Sequence, residues 1–220
     1  MKRFAISATL VLIVALSLSA CMHGVRGSGV RKTELRDLPA FNSIDTSGAF
    51  EMEVTCQKPA GFEIEADDNI VPLVQTEVRD GVLHVTTTKS YTSAGGIKLR
   101  INVPDLVSVK STGAGKFNVS GVKNDKFEIH STGAATVMAS GQSKYLKISS
   151  TGAGKIDAHD LRVSNADVSV TGAAGVDVYA TDELDVTVSG AGRVTYSGNP
   201  KVSKKVSGAG QVIKKEGISA

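Results

Sequence analysis

Ser111-Thr112-Gly113-Ala114-Gly115-Lys116 and Ser150-Thr151-Gly152-Ala153-Gly154-Lys155 are the same six residues, met twice in one chain of 220. Between and beyond them stand near copies: Ser131-Thr132-Gly133-Ala134-Ala135, Val170-Thr171-Gly172-Ala173-Ala174-Gly175, Val188-Ser189-Gly190-Ala191-Gly192 and Val206-Ser207-Gly208-Ala209-Gly210. The lead glycines 113, 133, 152, 172, 190 and 208 are separated by 20, 19, 20, 18 and 18 residues. A related Ser47-Gly48-Ala49-Phe50 stands far upstream. A fixed period near twenty is the mark of a solenoid, whose units are each too small to bury an apolar row alone.

Both flanks of each corner alternate. Before it come Val107 and Val109, Phe127 and Ile129, Leu146 and Ile148, Val168 and Val170, Val186 and Val188. After it come Phe117 and Val119, Val137 and Ala139, Ile156 and Ala158, Val176 and Val178, Val194 and Tyr196. The residues between are mostly Ser, Thr, Asp, Lys and Asn, so each flank is a strand with one buried face. Two strands, a small-residue corner and a return segment make one coil. Stacking coils in parallel at about 4.8 Å buries the apolar rows against one another. The expected fold is all-β, a right-handed parallel β-helix by the handedness of parallel crossovers. An antiparallel sandwich fits less well, since hairpins would not need the same corner in every unit. In this register Glu128, Lys147, Asp167 and Asp185 form one column, and so do Asp157 and Asp177.

The solenoid domain is expected over 33–220, with an irregular strand-rich first part (33–105), regular repeats (106–213) and a tail (214–220). In the first part, Asp80-Gly81 between two strand-like runs is a hairpin signal. Ser93-Ala94-Gly95-Gly96 marks a turn before Ile97–Val103, and Pro104 closes that strand. This part is expected to cap one end of the stack. At the other end the inward positions become Lys204 and Lys214, with Lys201, Lys205 and Lys215 nearby, which discourages end-to-end pairing and predicts a monomer.

The first twenty residues read as a secretory signal: Lys2 and Arg3, an apolar stretch to Leu18, then Leu18-Ser19-Ala20-Cys21. That ending resembles the bacterial lipobox, so Cys21 is the expected lipidation site and the anchor to a membrane. Residues 21–32, rich in Gly, Ser and Arg, read as a flexible tether. Met22 stands where Asp would retain a lipoprotein in the inner membrane, which by analogy favours the outer membrane. Losing Lys2 and Arg3 takes the formal charge from +3 to +1, too balanced for a nucleic-acid partner. With Cys21 acylated, Cys56 has no disulfide partner and reads as a buried small apolar residue. Aromatics are 5% of the chain and Trp is absent, which suits a thin core of Val, Ile, Leu and Ala.

Phe41–Phe50, Ile64–Ile70, Thr76–Gly81, Ile101–Leu106 and the later Ser-Gly-Ala-Gly copies, in that order, resemble the auto-transporter adhesin, head GIN domain family over about residues 36 to 215. The resemblance implies a right-handed β-helical protein of the bacterial envelope. It implies no catalytic or binding residues.

No corner is followed by the helix and Lys-Ser/Thr pair of a phosphate loop, and small residues suit tight stacked turns. A functional reading of the same corners is a hydroxyl ladder of Thr112, Thr132, Thr151, Thr171, Ser189 and Ser207 on a flat face, able to meet a glycan or another protein. Asp157 beside Asp177 would repel and could share a cation or a proton, but two carboxylates make a poor metal site. His84, His130 and His159 lack ligand spacing. No cofactor is expected. These features point to a non-enzymatic envelope scaffold with an envelope-protein or glycan partner. A carbohydrate-active β-helix enzyme and a self-assembling envelope protein are the alternatives.

Overall fold

The computed structural model describes residues 24–215. The signal segment, Cys21 and residues 216–220 lie outside the described residues. The chain forms a parallel β-solenoid of about five turns, 72% strand, without an α-helix among the described residues.

The repeats stack in register. Strands β10 (Ser108–Gly113), β11 (Lys116–Gly133), β12 (Thr136–Gly152), β13 (Lys155–Gly172), β14 (Gly175–Gly190), β15 (Arg193–Ser197), β16 (Lys201–Gly208) and β17 (Gln211–Lys214) pair only in parallel. Gly113, Gly133, Gly152, Gly172, Gly190 and Gly208 lie over one another. The upstream corner joins the same column. Strand β3 (Ser43–Gly48) pairs with β10, which sets Gly48 on Gly113, and β4 (Glu51–Cys56) pairs with β11.

The corner needs glycine for two reasons. Its φ lies between 104° and 138° throughout the column, and a Cβ on Gly152 would stand 2.3 Å from the Gly133 carbonyl oxygen. That carbonyl accepts the Ala153 N–H at 2.9 Å, so the ladder runs through the turn without a break. Inside, Leu83, Ile44, Val109, Ile129, Ile148, Val168 and Val186 form one apolar column, all buried. It ends at the exposed Lys204 under Val186, and the neighbouring column ends at Lys214 under Tyr196.

The first part caps the opposite end by inserting strands out of sequence order. β7 (Val82–Thr87) and β9 (Lys98–Val103) form a rung beyond β3 and β4. Antiparallel strands then finish the stack: β6 (Val74–Arg79) on β7, β5 (Gly61–Asp67) on β9, and β2 (Arg31–Leu35) on β5. The Asp80-Gly81 hairpin forms as expected, both residues at positive φ.

Residues 24–32, the described part of the expected tether, run against the cap. β1 (Val25–Arg26) pairs with β8 (Tyr91–Thr92), and Gly27 donates to the Thr92 carbonyl at 2.8 Å. Gly27 packs so close to Asp67 that a Cβ there would stand 1.9 Å from the carboxylate. Gly27 serves close approach rather than flexibility.

Candidate functional site

The pleat turns alternate residues outward, and at the corner it exposes two small-residue rows. Ser47, Thr112, Thr132, Thr151, Thr171, Ser189 and Ser207 stack directly and are all exposed. Beside them run the exposed Ala49, Ala114, Ala134, Ala153, Ala173, Ala191 and Ala209. The anticipated hydroxyl ladder is therefore continuous, and one rung longer than the sequence copies alone provide.

One position inward lies a row that sequence reasoning did not single out. Ser111, Ser131 and Ser150 share a column with Val170 and Val188, and all five are buried. The three serine hydroxyls have no hydrogen-bond partner. The space here is tight: a Cβ on Gly154 would meet Ser131 Oγ at 3.4 Å, and one on Gly192 would meet Val170 at 2.6 Å. A hydroxyl at this position fills volume, at the cost of an unpaired polar atom.

Glu128, Asp157 and Asp177 in the charged columns are neutralised locally. Glu128 does stack on Lys147, as the register requires, but its carboxylate binds Lys126 and His130 of its own strand. Lys126 and then His130 hold it below the usual carboxylate range. Asp157 and Asp177 are direct neighbours. Asp177 faces His159 and Lys215, each at 3.8 Å, and Asp157 lies 4.0 Å from Lys155. Cations of the protein thus offset the repulsion. Among the described residues no group of three metal-ligating side chains converges. Burial, and then Asp105, pushes the Cys56 thiol up to about 11, so this buried thiol stays protonated at neutral pH.

Two further features lie away from the corners. At the cap, Asp67 is 3% exposed and accepts from Ser93 Oγ at 2.9 Å and from Arg31 at 3.4 Å. Arg31 also reaches Glu65 and the Gly96 carbonyl, fixing the N-terminal segment to the turn before β9. On the return side a shallow groove of about 530 Å³ runs along the stack. One lip is the exposed column Lys123, Gln142, Arg162. The floor holds Asn124 and buried Ser143, whose Oγ donates to Asn124 Oδ1 at 2.8 Å while Asn124 Nδ2 donates to the Leu106 carbonyl.

A stack of parallel rungs, with exposed residues in columns on regular outer faces, defines a β-solenoid protein. Within that class, the chain belongs to the family described as "Putative auto-transporter adhesin, head GIN domain", whose model matches residues 40–200. A crystal structure of a putative adhesin from Bacteroides fragilis has TM-score 0.71 and 24% identity, covering 87% of this chain and 100% of its own. A putative adhesin from Parabacteroides merdae has TM-score 0.57 and 22% identity, covering 88% and 99%. A putative lipid binding protein from Parabacteroides distasonis has TM-score 0.56 and 22% identity, covering 87% and 99%. At these identities the likeness is one of fold. No curated protein matches the chain.

Proposed function

We propose that this protein is a non-enzymatic scaffold of the bacterial cell envelope, lipid-anchored through Cys21, that presents rigid solenoid faces to a partner. The observation that carries this reading is the outer corner, with hydroxyl and methyl rows in register over seven rungs and backbone hydrogen bonds that cross the turn from Gly113 to Ala191. Ordering such a surface costs nothing at the moment of binding, the advantage of a preorganised face. The family description and the names of the B. fragilis and P. merdae proteins point the same way. The lipobox-like Leu18-Ser19-Ala20-Cys21 supports the anchor.

Beads coated with the full chain should retain envelope fragments above the level of beads coated with heat-unfolded chain. Equal retention sinks the scaffold reading. Thr132→Lys with Thr171→Lys, two exposed changes, should lower retention if the ladder is the contact face. Cys21→Ala should abolish lipid labelling and release the protein from membranes, and unchanged retention would count against the anchor.

A further inference from the structure

We infer that the return-side groove is a binding site for a linear acidic polysaccharide, with Lys123 and Arg162 as its anion-binding residues. The inference rests on the scaffold reading and gives it a ligand class. Lys123, Gln142 and Arg162 are successive partners in one parallel column. Two rungs separate the cations, about 9.6 Å at about 4.8 Å per rung. That is roughly the length of a disaccharide, so an extended polymer with one acid group per two sugars meets both.

Neither cation is neutralised by the fold. Among the described residues Lys123 and Arg162 make no ion pair, whereas Lys144 across the groove is held by Asp125 at 2.8 Å. The guanidinium of Arg162 lies 4.9 Å from the Tyr179 ring centroid, which holds its plane in place and leaves its N–H groups for a carboxylate or sulfate. Gln142, between the cations, offers a donor and an acceptor to sugar hydroxyls. Ser164 and Thr181 add hydroxyls on the facing lip.

Other polymers fit less well. At Gln142 and Arg162 the groove strands β12 and β13 are paired on both sides, so the backbone there offers no free edge for a peptide strand to join. Single-stranded nucleic acid binds through open aromatic faces, and here Arg162 covers Tyr179.

The test is affinity electrophoresis of the full chain in detergent, through gels holding polygalacturonate, dextran sulfate, neutral dextran or single-stranded DNA. Retardation is expected from an acidic polysaccharide and not from neutral dextran. The K123Q/R162Q variant should bind at least about tenfold more weakly, the loss of two charge-assisted contacts. A K116Q/K147Q variant removes the same charge from other faces and should bind as the parent does. Retardation by neither acidic polysaccharide, equal binding by K123Q/R162Q, or an equal loss in K116Q/K147Q overturns the assignment. Stronger binding to DNA through the same two residues overturns it in favour of nucleic acid. Envelope retention that survives K123Q/R162Q keeps the scaffold and removes the groove, while loss of all retention by the folded parent removes the scaffold itself.

Discussion

The corner glycine and the serine beside it make opposite contributions to stability. Gly152→Ala brings a methyl to 2.3 Å from the Gly133 carbonyl at a φ of 128°, where L-residues are strained. The neighbouring strands are paired on both sides and cannot move apart locally. The variant should lose roughly 3 kcal/mol in urea unfolding, while Thr151→Ala, outward on the same turn, should stay within about 0.5 kcal/mol. Ser150 is the reverse case, since its hydroxyl is buried without a partner. Ser150→Ala removes an unsatisfied group and little volume, so it should raise the unfolding free energy by about 0.5–1 kcal/mol and the midpoint with it. A lower midpoint would mean that the hydroxyl packs more favourably than its missing partner costs. The glycine was legible in the sequence because it recurs with the period. The buried serine was not: Ser111 and Ser131 look like ordinary polar flank until stacking sets them over Val170 and Val188.

At the level of elements, what repeats was readable and what occurs once was not. The alternation around each corner announced β10 to β17, and the Asp80-Gly81 dipeptide announced the β6–β7 hairpin. The rung formed by β7 and β9 follows β3 and β4 in the chain yet precedes them in the stack, and nothing local encodes that order. The clasp that residues 24–31 make with Asp67 and β8 at the cap was not legible for the same reason. Gly24, Gly27 and Gly29 have the composition of a linker, and only the position of Asp67 shows that Gly27 is there to let the chain approach. The groove was within reach: Gln142 follows Lys123 by 19 residues and Arg162 follows Gln142 by 20, steps like those of the corners. The clasp has its own pH signature. Burial works to raise the Asp67 carboxyl, but Ser93, the Gly29 N–H and Arg31 outweigh it and hold it below its ordinary value. A depressed carboxyl stabilises the fold above its unfolded value, near 3.9, and that contribution is lost as pH falls through the folded value. Acid should therefore loosen β1 and β2 before the repeats. At neutral pH, Asp67→Ala should speed amide exchange in β1 and β2 by roughly tenfold or more, leaving β12 and β13 unchanged. Uniform acceleration would show that the clasp supports the whole stack rather than its first strands.

For the whole molecule, the clasp turns the proposed anchor into an orientation. Three peptide steps join Cys21 to Gly24, a reach of at most about 11 Å. From Gly24 onward the chain is bound to the cap: Val25 donates to the Ser90 carbonyl at 2.8 Å, and Tyr91 Oη donates to the Ala49 carbonyl at 2.9 Å. An acyl group on Cys21, as proposed, would hold the cap against the bilayer and keep the solenoid from swinging as it would on a free linker. The lysine-rich last rung lies about seven rung spacings away, about 34 Å from the β7 and β9 rung. A thiol-reactive donor fluorophore reads this directly, because buried Cys56 does not compete for the label. In vesicles with a headgroup acceptor, Lys89→Cys beside the clasp should transfer energy efficiently and Lys205→Cys at the far rung weakly. Loosening the clasp with Asp67→Ala should narrow that difference while the protein stays membrane-bound. Equal transfer from both sites in the parent would mean that the stack lies flat or swings freely, and then the corner ladder and the groove would face the bilayer for part of the time instead of standing clear of it.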